Sequence, residues 1–396
     1  MISEKMLALG KKSSAIREIF EYGKKRKAEI GEENVFDFSL GNPSVCPPPI
    51  VDETIKALLA SENPIALHGY TSAPGDMAVR TAVAEYLSKT YGTDDTADNI
   101  YMTVGAAASL TVTLGAIVCE GDEVVVLAPY FPEYRVFAEN AGAKLCEVSC
   151  RLGDFQPDTE ALAAAVNEHT KAIIINSPNN PTGVVFSEQS IKALASLLCE
   201  KEKEYGHPIY IISDEPYREL VYGGVSVPYT ANYYNNTISC YSFSKSLSLP
   251  GERIGYICVS KKCEEWRELF FAVCGAGRAL GYVCAPSLMQ KIVPACLGKT
   301  SDTSIYDRNR KLLYRELTAY GYECVAPDGA FYMFVKAFCE NAAEFCEAAK
   351  KHELLLVPSD SFGVCGYVRI SYCVTTEQIE RALPAFRALA KDYGKI

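Results

Sequence analysis

The chain has 396 residues, of which 48% are hydrophobic and 22% charged. This composition excludes a disordered chain, because disordered chains have too little apolar content to offset the entropy of ordering. At roughly 150 residues per domain, the length predicts two or three domains. Lysine and arginine number 39 against 49 aspartate and glutamate residues, a net charge of −10, so we expect no basic surface for nucleic acid.

In chain order, the first predicted element is a helix within the first 30 residues that ends near Gly31, followed by a strand over 35–40. From about residue 76, helical stretches alternate with short β-branched runs. The helices are predicted over 76–90, 106–118, 132–140, 158–166 and 187–204, and the strands over 99–103, 123–128, 143–148, 171–176, 208–213, 237–241 and 254–259. This alternation predicts an α/β fold, with a mostly parallel sheet and helices on both faces.

The pattern changes after Pro286. A long helical stretch through Tyr320 is followed by two strands around 322–335, a helix over 341–351, strands near 354–357 and 367–371, and a closing helix over 376–391. We interpret this as a smaller α+β domain. The expected division is an N-terminal arm and part of the small domain at 1–45, a large domain at 46–285 and a small C-terminal domain at 286–396.

Cysteine and histidine usage bears on compartment and metal binding. The sixteen cysteines occur singly, without a Cys-x-x-Cys pair, so we expect them to be reduced. The chain starts without an apolar signal segment, and no stretch approaches the roughly 20 apolar residues that span a bilayer. A cytoplasmic location is therefore expected. The four histidines have no zinc-binding spacing, and no metal site is predicted.

Polar residues follow the predicted strands at their carboxyl ends, where ligands bind in open α/β sheets. These residues are Gly105, Pro129-Tyr130-Phe131, Asn176 to Gly183, Asp214-Glu215-Pro216-Tyr217 and Ser242-Phe243-Ser244-Lys245. The sequence therefore predicts a ligand site along this edge.

Three of these segments, together with a fourth that follows Lys245, carry a resemblance to a known family. Asn179-Asn180-Pro181-Thr182-Gly183, Asp214-Glu215-Pro216-Tyr217, Ser242-Phe243-Ser244-Lys245-Ser246 and Gly251-Glu252-Arg253-Ile254-Gly255 resemble the motifs of the class I and II aminotransferases of the aspartate aminotransferase fold, fold type I. The resemblance extends from Gly41 to Arg369. It implies a seven-stranded sheet, the cofactor pyridoxal 5′-phosphate, and transfer of an amino group from an L-amino acid to a 2-oxo acid.

The resemblance implies three catalytic residues, which are Lys245, Asp214 and Tyr217. A lysine amine can bond to an aldehyde cofactor and later act as the base that moves the substrate Cα proton, and Lys245 takes this role. A carboxylate keeps the cofactor's ring nitrogen protonated, and Asp214 is that carboxylate. Asn180 and Tyr217 are the implied donors to the phenolic oxygen of the cofactor.

The remaining cofactor contacts are also implied by resemblance. The phosphate needs backbone N–H groups at a helix start together with hydroxyl and guanidinium donors. Phe131 is expected to stack on the pyridine ring, with Tyr130 as the alternative, and Tyr70 to reach the phosphate of a neighbouring subunit, which implies a homodimer. The phosphate-binding candidates are Gly105, Ala106, Ala107, Ser242, Ser244 and Arg253.

Substrate binding is expected at four residues. Arg369 matches the α-carboxylate through two parallel hydrogen bonds, and Gly41 and Asn180 approach the same group. Arg278 is expected to act across the subunit interface on a distal carboxylate, which makes aspartate or glutamate the candidate substrate. Alanine and aromatic amino acids remain open.

Two alternative functions are retained. The same fold and cofactor serve C–S lyases and decarboxylases, which these motifs do not separate from aminotransferases. A non-enzymatic, cofactor-binding regulatory domain would need a basic DNA-binding domain before residue 40, where only a short helix is predicted.

Overall fold

The computed structural model of the chain describes residues 2–11 and 15–396. Part of the helix predicted within the first 30 residues, Lys12 to Ser14, lies outside these ranges. The helices α1 to α15 cover Glu4–Lys11, Ala15–Ile30, Ile50–Ser61, Pro64–His68, Met77–Tyr91, Ala106–Ile117, Glu133–Ala141, Thr159–Ala165, Glu188–Tyr205, Phe243–Ser246, Trp266–Ala279, Ser287–Cys296, Ser304–Ala319, Ala342–Lys350 and Thr376–Asp392.

The strands form one large and two small sheets. In chain order, β1 to β12 cover Phe36–Asp37, Ile100–Thr103, Glu123–Ala128, Lys144–Ser149, Thr170–Asn176, Tyr210–Asp214, Thr237–Ser242, Gly255–Val259, Tyr332–Lys336, Leu354–Leu355, Val357–Pro358 and Tyr367–Ser371. The large sheet has seven strands in the order β2-β8-β7-β6-β5-β3-β4. Only β8 runs antiparallel to its neighbours. The mostly parallel seven-stranded sheet expected from the resemblance is therefore confirmed.

Both faces of the large sheet are buried beneath helices. In β3, Val124 and Val126 pack into one hydrophobic cluster with residues of α6, α7 and α11. The alternate residues Val125 and Leu127 pack into a second cluster with residues of α8 and α9. A strand covered on both faces needs apolar residues at every position, which explains the continuous run of Val and Leu in β3.

Helix boundaries in this layer follow from local capping. The Ser187 side chain accepts a hydrogen bond from the Ser190 N–H at the start of α9, and Gly206 ends the helix with a φ of 75°. A hydroxyl at the first position and a glycine in the left-handed region after the last are the usual terminators of a helix. As a result, α9 agrees with its predicted range to within one residue at each end.

The smaller part of the molecule combines both ends of the chain. The sheet β11-β12-β9 is antiparallel, and β1 pairs with β10 in a separate parallel ribbon. Residues of α13, α14 and α15 pack with these strands in one hydrophobic cluster. This arrangement agrees with the expected α+β character of the smaller part, and β1 joins it through the N-terminal segment as expected.

The division at residue 286 does not match the packing. In α12, Ile292, Val293 and Cys296 share a cluster with Ile100 and Met102 of β2, in the large sheet. Burial of its apolar face against the large sheet therefore assigns α12 to the larger part. We propose that the C-terminal segment of the small part begins after Cys296.

Several other predicted elements differ from the structure. The long helix predicted from Pro286 to Tyr320 is two helices, because Gly298 turns the chain with a φ of 71°. Of the two strands predicted around 322–335 only β9 forms, since Asp328 N–H and Gly329 N–H donate to the Gly183 carbonyl instead. The strand at 35–40 shortens to β1, whose partner β10 has two residues. Helices α3, α4 and α11 have no counterpart among the predicted elements.

Within residues 2–11 and 15–396, no helix is both long and apolar enough to cross a bilayer.

We expect Ile212→Ala to lower the free energy of unfolding by about 2–5 kcal/mol, because it leaves a cavity in a close-packed core. Ile212 lies on the central strand β6 and is fully buried. Leu152→Ala is the control, since Leu152 is 71% exposed, and its effect should stay within about 0.5 kcal/mol. Urea titrations followed by circular dichroism measure both, and equal losses would contradict the burial described here.

Candidate active site

A cavity of about 300 Å³ opens at the carboxyl ends of the strands of the large sheet. Residues that follow β2, β3, β5, β6 and β7 line one side of it, and Gly41, Tyr332 and Arg369 line the other. The expected site residues that line this cavity are Gly41, Ala106, Ala107, Phe131, Asn180, Asp214, Tyr217, Ser242, Ser244, Lys245, Arg253 and Arg369. The fold therefore brings together side chains separated by more than 300 residues in the sequence.

Lys245 lies in the short helix α10, directly after β7. The Ser242 hydroxyl accepts a hydrogen bond from the Ser244 N–H and starts this helix, which holds Lys245 at the strand end. Lys245 Nζ donates to the Gly41 carbonyl at 2.7 Å. Burial lowers the pKa of Lys245 to about 8, and the positive charges of Arg253 and Arg369 act in the same direction. A sizeable neutral fraction near physiological pH makes this amine a nucleophile and a base.

Asp214 ends β6 with its side chain fully buried. Tyr134 Oη donates to Asp214 Oδ2 at 2.5 Å, whereas the buried Oδ1 has no hydrogen-bond partner in the described part of the chain. Burial raises the pKa of Asp214 to about 7, and the hydrogen bond from Tyr134 acts against this increase. A buried acceptor without a partner is costly, so Oδ1 is suited to accept a hydrogen bond from a bound group.

Arg369 extends from β12 and is 2% exposed. Its Nη1 donates to Asn180 Oδ1 at 3.1 Å and its Nη2 to the Ser39 carbonyl at 2.5 Å. Its Nε has no partner among residues 2–11 and 15–396, and no carboxylate there lies within 4.0 Å of the guanidinium. A buried guanidinium stays charged in proteins. This cation therefore lacks its counter-charge in the protein alone.

Groups that could bind an anion lie together where α6 begins. Gly105 precedes α6 with a φ of 94°, and the first turn of the helix has no acidic residue. The positive φ favours glycine at this position, and a Cβ there would lie 2.8 Å from Arg253 Nη2, so glycine leaves room for the guanidinium. Arg253 Nη1 is 3.5 Å from Ser244 Oγ. Unpaired N–H groups at a helix start, a guanidinium and a hydroxyl together suit a phosphate.

Two tyrosines at the site were not predicted from the sequence. Tyr134 lies in the first turn of α7, and Tyr332 begins β9, the strand that pairs directly with the Arg369 strand β12 in the small sheet. Tyr332 Oη and Tyr217 Oη are 3.0 Å apart. No motif in the sequence marks either tyrosine.

The side chains of Phe131 and Tyr130 point in different directions. Phe131 lines the cavity, as expected for the residue that stacks on a ligand ring. Tyr130 Oη instead donates to Glu147 Oε1 at 2.5 Å, away from the cavity lining. The geometry therefore supports Phe131 over the alternative.

Tyr70 and Arg278 do not line the cavity of their own chain. Tyr70 is fully exposed, and Arg278 is exposed in the last turn of α11. The two segments adjoin, because Cys284 donates to the Thr71 carbonyl. Large apolar side chains close to Tyr70 or Arg278 along the chain are also exposed, namely Ile65, Met77, Phe271, Leu280, Tyr282 and Val283.

We expect Lys245 to titrate well below an ordinary lysine, whose pKa is about 10.4. In cofactor-free protein, acylation of Lys245 should reach half its maximal rate near pH 8, because burial disfavours the ammonium form. Lys144 is the internal control, since its ion pair with Glu123 raises its pKa. Peptide mass spectrometry across a pH series measures both, and coincident midpoints would refute the unusual environment of Lys245.

Comparison with known proteins identifies the family. The family model described as aminotransferase class I and II matches residues 33–386. A crystal structure of an amino transferase from Eubacterium rectale is 56% identical, with a TM-score of 0.98 over 100% of this chain and 99% of that one.

Relatives with named substrates are more distant. A probable aspartate/prephenate aminotransferase of Thermus aquaticus is 31% identical over 80% of this chain and 82% of its own length. An aromatic-amino-acid aminotransferase of Thermococcus litoralis is 29% identical over 96% of each. With the strand-end motifs gathered in one cavity, these matches show that the chain belongs to the class I and II aminotransferases.

Proposed function

We propose that this aminotransferase binds pyridoxal 5′-phosphate through Lys245 and exchanges amino groups between an L-amino acid and a 2-oxo acid. The observation that carries the proposal is the unpartnered Oδ1 of Asp214, buried in the same cavity as the Lys245 amine. A carboxyl in this setting is suited to a cationic N–H donor, and the pyridinium of this cofactor is such a donor.

The other residues fit the cofactor as well. The start of α6 with Arg253 and Ser244 suits its phosphate, and Phe131 offers a ring face to its pyridine. Tyr217 Oη and the Asn180 side-chain amide are the donors for its phenolic oxygen. Burial raises the pKa of Tyr217 well above its usual value, so this hydroxyl keeps its proton at neutral pH. Each polar group of the cofactor thus has a complementary group in the cavity.

Bound pyridoxal phosphate supplies an electron sink for negative charge at the substrate Cα. Lys245 Nζ, which is mostly neutral at a pH above its pKa of about 8, takes the proton from that carbon. Arg369 binds the substrate α-carboxylate with its free N–H groups, including Nε, and so orients the Cα–H bond toward Lys245. Asp214 Oδ1 holds the proton on the ring nitrogen throughout.

The residues of one protomer say less about which substrate side chain the cavity accepts. Among the described residues that line the cavity, the cationic ones are Lys245, Arg253 and Arg369, and each already has a proposed role. A second carboxylate therefore needs a cation from outside this chain. We propose that Arg278 of a second copy supplies it, with aspartate or glutamate as the candidate substrate.

A homodimer with shared sites follows from the same reasoning. Tyr70 and Arg278 are exposed on adjoining segments, and large apolar side chains close to them along the chain are also exposed. Such a patch is typical of a surface that binds another protein. We propose that a second copy covers it and that Tyr70 then reaches the phosphate of the neighbouring cavity. The cytoplasmic location stays a prediction.

Lys245→Ala tests the proposed function directly. We expect borohydride to fix the cofactor to the Lys245 peptide in the wild type and not in the variant, and transamination to fall at least about 100-fold because the base is removed. Lys144→Ala, an exposed lysine outside the cavity, should retain both properties. A cofactor adduct elsewhere in the variant, or none in the wild type, would refute the assignment.

Arg278→Ala and Arg369→Ala should differ in substrate dependence. Loss of a charged contact to a buried carboxylate costs about 2–5 kcal/mol, roughly 30- to several-thousand-fold in kcat/KM. Arg278→Ala should lower kcat/KM for aspartate or glutamate far more than for alanine, whereas Arg369→Ala should affect all three.

Arg267→Ala is the matched control for this comparison. Arg267 lies on the same helix as Arg278 and stacks on Trp266, 4.5 Å from the ring centroid. We expect it to leave the ratio of aspartate to alanine activity unchanged. Equal losses for alanine and aspartate in Arg278→Ala, or a parent protein without dicarboxylate activity, would contradict the proposed role of Arg278.

A further inference from the structure

Among the described residues that line the cavity, Tyr332 is the one tyrosine without a role in the proposed function. It lies in β9 on the small sheet, 3% exposed, and lines the cavity next to Gly41 and Arg369. Its hydroxyl has one hydrogen-bond partner in the described part of the chain, which is Tyr217 Oη at 3.0 Å. Tyr217 Oη likewise has no second partner there. The two hydroxyls therefore share one hydrogen bond and leave one proton for the cavity.

The surroundings of Tyr332 hold its hydroxyl in this place. A Cβ on Gly41 would collide with the hydroxyl of Tyr332, so the glycine leaves room for it. The rings of Tyr217 and Tyr332 meet edge to face, with centroids 5.7 Å apart. Such pairs prefer this arrangement, which fixes the two hydroxyls relative to each other.

Either hydroxyl can donate at this distance, and the position of Arg369 favours Tyr332 as the donor. The Arg369 guanidinium lies over the Tyr332 ring, 4.7 Å from its centroid. Burial raises the pKa of Tyr332 to about 12, and Arg369 acts against burial. A cation at this distance strengthens the Tyr332 hydroxyl as a hydrogen-bond donor. A hydroxyl that accepts a hydrogen bond becomes a stronger donor itself, so the bond from Tyr332 strengthens Tyr217 Oη as a donor.

We propose that Tyr332 is a positioning residue, whose hydroxyl donates to Tyr217 Oη and thereby directs the Tyr217 proton into the cavity. The inference rests on the proposed function, in which that proton is donated to the phenolic oxygen of the cofactor. Tyr217 comes from the large sheet and Tyr332 from the small sheet, so this contact joins the two parts of the molecule at the site.

The test is a pH titration of the absorbance of the reconstituted enzyme. Without the Tyr332 hydroxyl, Tyr217 donates more weakly and the phenolic oxygen becomes more negative. That charge stabilises the proton on the nitrogen by which Lys245 is attached to the cofactor. Tyr332→Phe should therefore raise the apparent pKa of that nitrogen by about 0.5–1 pH unit, as expected for one hydrogen bond. Tyr217→Phe should raise it further.

A double variant and a control separate positioning from structural support. Because Tyr332 acts through Tyr217, the double variant should show the shift of Tyr217→Phe alone. Tyr322→Phe removes another buried hydroxyl, which donates to the Phe386 carbonyl at 2.9 Å, and should leave the titration unchanged. If Tyr332→Phe does not fold, Tyr332→Met removes the same hydroxyl and should also raise the pKa.

The outcomes are distinct. A wild-type enzyme that binds the cofactor but shows the same titration as Tyr332→Phe, or a downward shift, would overturn this inference and leave the proposed function intact. Additive shifts in the double variant would overturn it too. A wild-type enzyme with no cofactor absorbance after reconstitution would overturn both proposals.

Discussion

The structure depends on one costly arrangement, a carboxyl group buried at the end of a central strand with only one of its oxygens satisfied. Asp214 Oδ2 accepts from Tyr134, and Oδ1 has no partner among the described residues. Burial without a cation raises the pKa of this carboxyl to about 7. The sheet tolerates the cost because both of its faces are packed with apolar side chains that hold β6 in place. A ligand that brings a cationic donor to Oδ1 recovers that energy on binding.

The cavity next to this carboxyl holds an excess of positive charge. Lys245, Arg253 and Arg369 all line the cavity, and none has a carboxylate within 4.0 Å in the ranges that the structure describes. Cations without counter-charges repel one another, and for Lys245 this repulsion adds to burial in lowering the pKa. The excess of positive charge is offset when a phosphate and a carboxylate bind. Affinity for anions and an amine that is partly neutral are thus two consequences of one charge distribution.

Besides the hydrogen bond from Lys245 to the Gly41 carbonyl, two polar contacts connect the large and small parts at the cavity. Arg369 of the small sheet donates to Asn180, which follows β5, and Tyr332 of the small sheet meets Tyr217, which follows β6. Asn180 and Tyr217 are the groups we assign to the cofactor, whereas Arg369 is assigned to the substrate. Each contact is a hydrogen bond between the large part and the small part. The position of the small part therefore affects the groups that we assign to the cofactor and the group that we assign to the substrate.

Much of the fold followed from the sequence alone. The buried strands are continuous runs of apolar residues and capping residues mark helix ends, so local signals sufficed for the large sheet. The resemblance to the aminotransferases, and not a local signal, pointed to Lys245, Asp214 and Arg253, which line one cavity. Predictions were weaker where tertiary contacts compete with local preference. The segment at 322–331 extends toward Gly183 instead of pairing as a strand, and α12 packs on the large sheet across the predicted boundary. Tertiary structure alone placed Tyr134 on Asp214 and Tyr332 on Tyr217, since a hydrogen bond between distant segments depends on how sheets and helices pack and leaves no pattern along the chain.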